Sequence, residues 1–223
     1  GTASGAVATA SYEAREYGVE SAQAISEALD CLPRKIDAAQ TDELSVTAAG
    51  FYRPVNMEYY EAIAEEIRAI FRKYADTLRK VSIDEAYLDL TERVDWMEVR
   101  EVGRALKREI ETEVGVTASL GIAPTMSAAK VASDYDKPDG LVVVEPGEVR
   151  SFLASLAVEE VHGVGPVTAA QMREMGIETA GDLAAADPVD LTSAFGKRGR
   201  RVHRFARGED DREIEPKGRP KSF

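Results

Sequence analysis

Residues 79–91 read RKVSIDEAYLDLT, and this stretch decides the fold class. It reads as strand, tight turn and strand, with the acids Asp84 and Glu85 at the turn. Upstream, Asn56 can cap a long helix with apolar positions at Tyr60, Ile63, Ile67, Ile70, Phe71 and Tyr74, a helical stripe. Downstream, Asp95 can cap a second helix carrying Val99, Val102, Leu106 and Ile110. Val116, Ala118, Leu120 and Ile122 alternate as a half-buried strand does. A helix from Thr125 to about Tyr135 follows, then the turn Pro138-Asp139-Gly140 and a short buried strand at 141–144. Helices interleaved with strands over residues 51–145 predict an α+β domain, with helices on one face of a mixed or antiparallel sheet.

The flanks differ in texture. Residues 1–45 are rich in small side chains and read as a short strand and two helices. Ser11 caps the first, which runs through Tyr17 to Gly18; Ser21 starts the second, which ends before Pro33. Leu44, Val46 and Ala48 alternate as a further strand. From Pro146 the chain reads as helices broken by Gly163, Gly165, Gly176 and Gly181, with Pro166 where a first helical turn tolerates it. Residues 213–223 read as an exposed linker.

At 223 residues, 44% hydrophobic and 30% charged, the chain has the composition of a globular protein, which excludes disorder as a global description. No apolar run approaches the roughly 18–20 residues of a membrane helix. No signal peptide is readable, and one cysteine, Cys31, cannot form an internal disulfide. These features predict a soluble, cytoplasmic protein with no membrane association. The net charge is −12. It divides unevenly: residues 1–195 carry −17 and the segment from Gly196 onward +5, with nine lysines against nineteen arginines overall. An acid-rich surface poor in lysine suits a cytoplasm of high salt, so the overall charge does not exclude a nucleic-acid partner.

Three groups of residues carry chemistry. Adjacent carboxylates such as Asp84 and Glu85 repel unless a cation lies between them, and Mg²⁺ takes such hard oxygen ligands; a solvated turn is the alternative. The run His162-Gly163-Val164-Gly165-Pro166-Val167-Thr168-Ala169 places glycines before a helix start, either a phosphate cradle or a purely structural hairpin. Thr9, Tyr12 and Arg15, three apart at a helix start, can present a hydroxyl, a phenol and a guanidinium to a polyanion; they read equally as a cap, a core tyrosine and a surface arginine. His162, His203 and Cys31 have no partners at metal-ligand spacing.

Taken together, the strings SGAVATASYEAREYGV, VSIDEAYLDLT, GIAPTMSAAKVASDYDKPDGL and VHGVGPVTAAQMREMGI resemble the Y-family translesion DNA polymerases, of the DNA polymerase IV type, in that order over essentially the whole chain. The resemblance implies fingers at residues 1–50, palm at 51–145, a helix-hairpin-helix thumb at 146–212 and a linker at 213–223. It implies Mg²⁺-dependent nucleotidyl transfer from a dNTP to a primer 3′-hydroxyl, with two Mg²⁺ per complete active site. Asp84 is then a catalytic metal ligand and Glu85 its acidic partner. Thr9, Tyr12, Arg15 and Lys137 bind the triphosphate, and Ala8 leaves room beside the nascent base pair. Gly163 and Gly165 let the thumb approach a DNA backbone phosphate. The implied partners are primer–template DNA, a dNTP and, through a C-terminal part, a sliding clamp; the implied state is a monomer.

The sequence also departs from that pattern. Family members begin with a palm strand bearing a further metal-binding aspartate and an aromatic that excludes ribonucleotides, and they continue into a little-finger domain. Residue 1 already corresponds to a position within the fingers, and Phe223 to the tether. The expectation is therefore a chain with little or no activity alone. The alternatives are a non-catalytic DNA-binding module using the thumb and basic C-terminal segment and, against the fingers and hairpin strings, a nucleotide cyclase with paired acids.

Overall fold

Ser11 is extended, and its side-chain oxygen accepts the Ala14 N–H at 3.3 Å, so the chain turns into helix α1, Tyr12–Glu16. The helix stops where Gly18, at φ +85°, returns its N–H to the Arg15 carbonyl. The computed structural model describes residues 5–32, 50 and 52–215. They fall in two compact units, Gly1–Glu58 and Tyr59–Phe223. In the first unit Ser21 does not start a helix. Glu20–Gln23 form a turn, held by the Ala22 N–H on the Val7 carbonyl at 2.8 Å and the Glu20 N–H on the Gln23 side chain at 3.0 Å. Helix α2, Ile25–Cys31, begins only after Ala24. The expected N-terminal strand is a single antiparallel bridge, Ala6 to Ala24. The strand expected at Leu44, Val46 and Ala48 lies outside the described residues, as do residues 216–223 of the expected linker.

In the second unit the expected hairpin forms. Strands β1, Thr77–Lys80, and β2, Ala86–Asp89, pair antiparallel with Thr77 opposite Asp89 and Lys80 opposite Ala86. Helix α3, Met57–Tyr74, follows Asn56 and turns the later part of its apolar stripe, from Ile63 onward, inward, while Tyr60 is exposed. Buried Ile70 meets Leu106 and Ile110 of helix α4, Val99–Val114, with Ile67, Phe71, Tyr74, Leu88 and Leu120 around them. The α4 helix starts later than the Asp95 cap predicts, because residues 95–98 first close a turn through the Glu98 N–H and the Asp95 carbonyl.

Strand β3, Leu120–Ile122, pairs parallel with β4, Leu141–Val143, across helix α5, Met126–Tyr135, which Thr125 caps as expected. The strand is shorter than the alternation from Val116 suggests, since the Ala118 carbonyl accepts from Lys107 Nζ at 2.7 Å instead of from a neighbouring strand. A Cβ on Gly121 would lie 2.1 Å from the Ala129 carbonyl oxygen, so only glycine lets α5 sit this close to β3. The architecture is α+β as the sequence predicts, but its mixed pairing is split between two small sheets: among the described residues β1–β2 and β3–β4 are not joined.

The chain is then helical: α6, Val149–Ala154; a 3₁₀ turn, Val158–Glu160; α7, Pro166–Glu174; α8, Ala180–Ala185; and α9, Pro188–Ala206. Leu153, Val158, Met172, Leu183, Leu191 and Val202 form one core that continues into Ala128, Val131 and Val144, so α5 belongs to the same apolar body as these helices. Among the described residues no helix is long and apolar enough to cross a membrane.

Candidate catalytic site and glycine hairpin

The β1–β2 turn is closed by the Val81 and Ser82 N–H groups, both on the Glu85 carbonyl at 2.9 and 3.2 Å. This closure sets Asp84 and Glu85 side by side at the end of the hairpin. The Asp84 carboxylate is exposed and accepts from the Ser82 hydroxyl at 2.6 Å. Glu85 Oε1 pairs with Lys130 Nζ of α5 at 2.5 Å. Lys130 also reaches Asp134 at 3.1 Å, and Asp134 in turn reaches Lys137 at 2.6 Å. A continuous chain of charge, Glu85–Lys130–Asp134–Lys137, thus joins the acid turn to the lysine beyond α5. Burial works against the charge on Lys130, but Glu85 and Asp134 outweigh it and hold its pKa above the ordinary lysine value. Burial likewise opposes ionisation of Asp134, and Lys137 and Lys130 outweigh it, holding the carboxyl below its usual range.

Lys130 is the residue that sequence reasoning missed. Its signal was present as the i, i+4 spacing to Asp134 and the i, i+3 spacing from Asp134 to Lys137. The donor set suits a hard divalent cation in kind, being two adjoining carboxylates. In number it is part of a shell: among the described residues no three His, Cys, Asp or Glu side chains converge.

In the first unit Ala8, Thr9, Tyr12 and Arg15 are all exposed. The Arg15 guanidinium lies 5.4 Å from the centroid of the Tyr12 ring, and its Nε donates to the Ala10 carbonyl at 3.2 Å. The structure brings Tyr12 and Arg15 together, with Tyr12 outward instead of in a core.

In the second unit the hairpin 162–165 turns at Gly163, whose φ of +91° is the left-handed region that favours glycine. The Val164 N–H is spent on the Val161 carbonyl at 2.9 Å. Gly165 is the N-cap residue of α7, with Pro166 in the first turn, where N–H groups have no intrahelical acceptor. His162 packs on the Phe205 ring at 5.7 Å, and burial holds its pKa below the ordinary histidine value.

The model of the impB/mucB/samB family matches residues 1–134, more than half of the chain, and the HHH motif of the same IMS family matches residues 146–177. The chain belongs to the impB/mucB/samB family. This is the Y-family that the sequence strings resemble. Among its relatives, the DNA polymerase IV of Halobacterium salinarum is 61% identical over 98% of this chain and 52% of that protein. That of Methanoculleus marisnigri is 42% identical over 96% of this chain and 56% of that protein. The chain therefore spans about half the length of the curated relatives it matches. Among solved structures, DinB from Sulfolobus solfataricus superposes with a TM-score of 0.84 at 32% identity, covering 96% of this chain and 60% of that one. An insertion ternary complex of Dbh DNA polymerase superposes with a TM-score of 0.83 at 33% identity, covering 95% and 58%. In this Y-family chain the acid turn lies within the matched family region, and Gly163 and Gly165 lie within the matched HHH motif.

Proposed function

We propose that the chain is the fingers, palm and thumb portion of a DNA-directed DNA polymerase of the translesion class, with fingers at 1–50, palm at 51–145, thumb at 146–212 and a linker beyond. The observation that carries this reading is the Glu85–Lys130–Asp134–Lys137 charge chain. It ties Glu85, which adjoins Asp84 in the acid turn, to Lys137 through side chains of a single unit, so a carboxylate suited to a metal and a lysine suited to a triphosphate belong to one network.

In this reading Asp84 and Glu85 hold Mg²⁺, which when bound neutralises phosphate charge and eases deprotonation of the primer 3′-hydroxyl. Lys130 holds the Glu85 carboxylate in place from α5. In the second unit Lys137 offsets triphosphate charge, and in the first unit Thr9, Tyr12 and Arg15 supply a hydroxyl, a phenol and a guanidinium suited to a triphosphate. Ala8 leaves space beside the nascent base pair. Gly163 and Gly165 let the α7 N-terminus meet a backbone phosphate of the primer–template. A sliding clamp is a further partner of the longer protein, which acts as a monomer in the cytoplasm. The second reading is a DNA-binding module without catalysis, and the excess of basic residues from Gly196 onward favours it.

Two assays on the 223-residue chain separate the readings, each run across a range of salt. Binding of a fluorescent dNTP in Mg²⁺ is expected to weaken in Asp84→Ala and in Lys137→Ala; nucleotide binding indifferent to both substitutions overturns the polymerase reading in favour of the DNA-binding module. Primer extension on an undamaged template is expected to be weak or silent. Robust Mg²⁺-dependent extension that disappears in Asp84→Ala would establish the chemistry and refute the expectation of low activity for this chain alone.

A further inference from the structure

Helix α9 is broken at Gly196, where φ is 61° and ψ −144°, so the segment from Lys197 leaves the break in a new direction. The two halves are pinned together. A Cβ on Gly199 would fall 2.1 Å from the Leu191 carbonyl oxygen, and Leu191, Gly199 and Val202 are all buried. Arg198 stands on this fixed frame with an exposed side chain. Its Nε and one Nη both donate to a single acceptor, the carbonyl of Gly163, at 3.1 and 2.8 Å. The same Nη lies 4.0 Å from where a Cβ on Gly165 would be, so the guanidinium sits against both glycines of the hairpin. Arg198 makes no ion pair among the described residues, unlike Arg204, Arg207 and Arg212, which are paired with Asp211, Glu209 and Asp210.

We propose that Arg198 is a positioning residue for DNA binding: it braces the 162–165 hairpin through the Gly163 carbonyl, so that the hairpin and the α7 N-terminus are preorganised for a phosphodiester group, and it does not itself meet the phosphate. The inference rests on the hairpin being a DNA contact, as read above. The physical argument is one of competing conformations. Glycine at positive φ costs more backbone entropy to fix than any other residue, and apart from Arg198 the peptide after Gly163 is held by one hydrogen bond, from the Val164 N–H to the Val161 carbonyl. Two N–H groups from one planar guanidinium fix the direction of that carbonyl, and with it the orientation of the following amides. A lysine there would supply one compact donor group in place of the planar fork.

The steepness of the salt dependence separates bracing from direct contact. Each phosphate neutralised by a cation adds about 0.9 to the slope of log affinity against log salt. Affinity of the chain for a primer–template duplex is measured by fluorescence anisotropy between about 50 and 200 mM salt. Amide hydrogen exchange of residues 163–165 is measured in the same proteins without DNA. Arg198→Ala is expected to bind about tenfold more weakly at every salt, as for loss of one charge-assisted hydrogen bond, with an unchanged slope. It is also expected to exchange the hairpin amides faster, and Arg198→Lys to restore affinity only in part. A slope that falls by about one shows Arg198 on the phosphate itself and overturns the proposal. Unchanged amide exchange overturns it too, since no brace was lost. Gly163→Val controls for the underlying reading. If it leaves affinity unchanged while Arg198→Ala still frees the amides, the brace is real but the hairpin is not a DNA contact, and the positioning role falls with that reading.

Discussion

Lys130 is the one cation of its helix and meets carboxylates from two directions, Glu85 across the fold and Asp134 one turn along. Its side chain is 24% exposed, between the fully wet ion pairs that contribute little and the dry ones whose rupture is costly. Lys130→Met is therefore expected to lower unfolding stability by about 1 kcal/mol, read by urea titration at neutral pH. Because the folded pKa is raised, the contribution is present in full below the unfolded value of about 10.4 and disappears as pH rises through the folded one. The variant and its parent should thus converge in strongly alkaline buffer, and a difference that persists there would mean that packing of the lysine stem, not its charge, matters.

Gly121 acts between elements, where β3 and α5 approach each other. The close approach is to the Ala129 carbonyl and to the Ser133 amide at 2.2 Å, both backbone groups of α5 that cannot rotate aside. Adding one methyl must therefore push the whole helix outward from β3. Gly121→Ala is expected to cost at least the roughly 1–3 kcal/mol typical of overpacking, with a lowered melting temperature. It should also weaken nucleotide binding, because α5 carries Lys130 and leads to Lys137. A melting temperature equal to the parent's would show that the helix has room to move. The hairpin β1–β2 behaves in the opposite way: the backbone of its turn is closed by its own hydrogen bonds, and α5 acts there only on the Glu85 side chain, through Lys130.

Over the whole of the second unit, the chain leaving α9 is fastened back onto α5. The Asp210 side chain is 1% exposed, accepts the Ser127 N–H at the start of α5 at 2.9 Å, and pairs with Arg212 at 2.7 Å. Arg212 also lies over the Phe205 ring, 4.7 Å from its centroid. Burial opposes the charge on Asp210, but Arg212 and the Ser127 amide outweigh it and hold its pKa below the ordinary aspartate value. A depressed carboxyl stabilises the fold above its unfolded pKa of about 3.9, and that stabilisation is lost as pH falls through the folded value. Asp210→Asn is expected to lower stability at pH 7 by about 1 kcal/mol, since the ion pair to the partly exposed Arg212 is lost and a neutral amide replaces the carboxylate that accepts the Ser127 N–H. The deficit should shrink as pH falls below 4. Chemical denaturation of both proteins from pH 7 to pH 3 checks this, and a constant deficit would show that the charge contributes nothing.

What is local can be read from the order of residues. The cap at Ser11, the helix from Thr125 to Tyr135, the hairpin around Asp84 and Glu85, the α+β class and the family strings all rest on neighbours within a few residues, where spacing records the physics. Where a local signal competed with a tertiary contact it misled: Ser21 reads as a cap, but Ala22 is held by Val7, and the alternation from Val116 ends early because Lys107 takes the Ala118 carbonyl. Which acceptor or donor each charge meets comes from tertiary structure. Lys130 and Glu85 are 45 residues apart, Arg198 and Gly163 35, and Asp210 and Ser127 83. Such pairs leave no periodicity in a single chain. A lysine in an alanine-rich helix and an arginine in a basic run look alike until the fold brings each to an acceptor, because the energy that selects the contact comes from burial and direction, which the order of residues does not record.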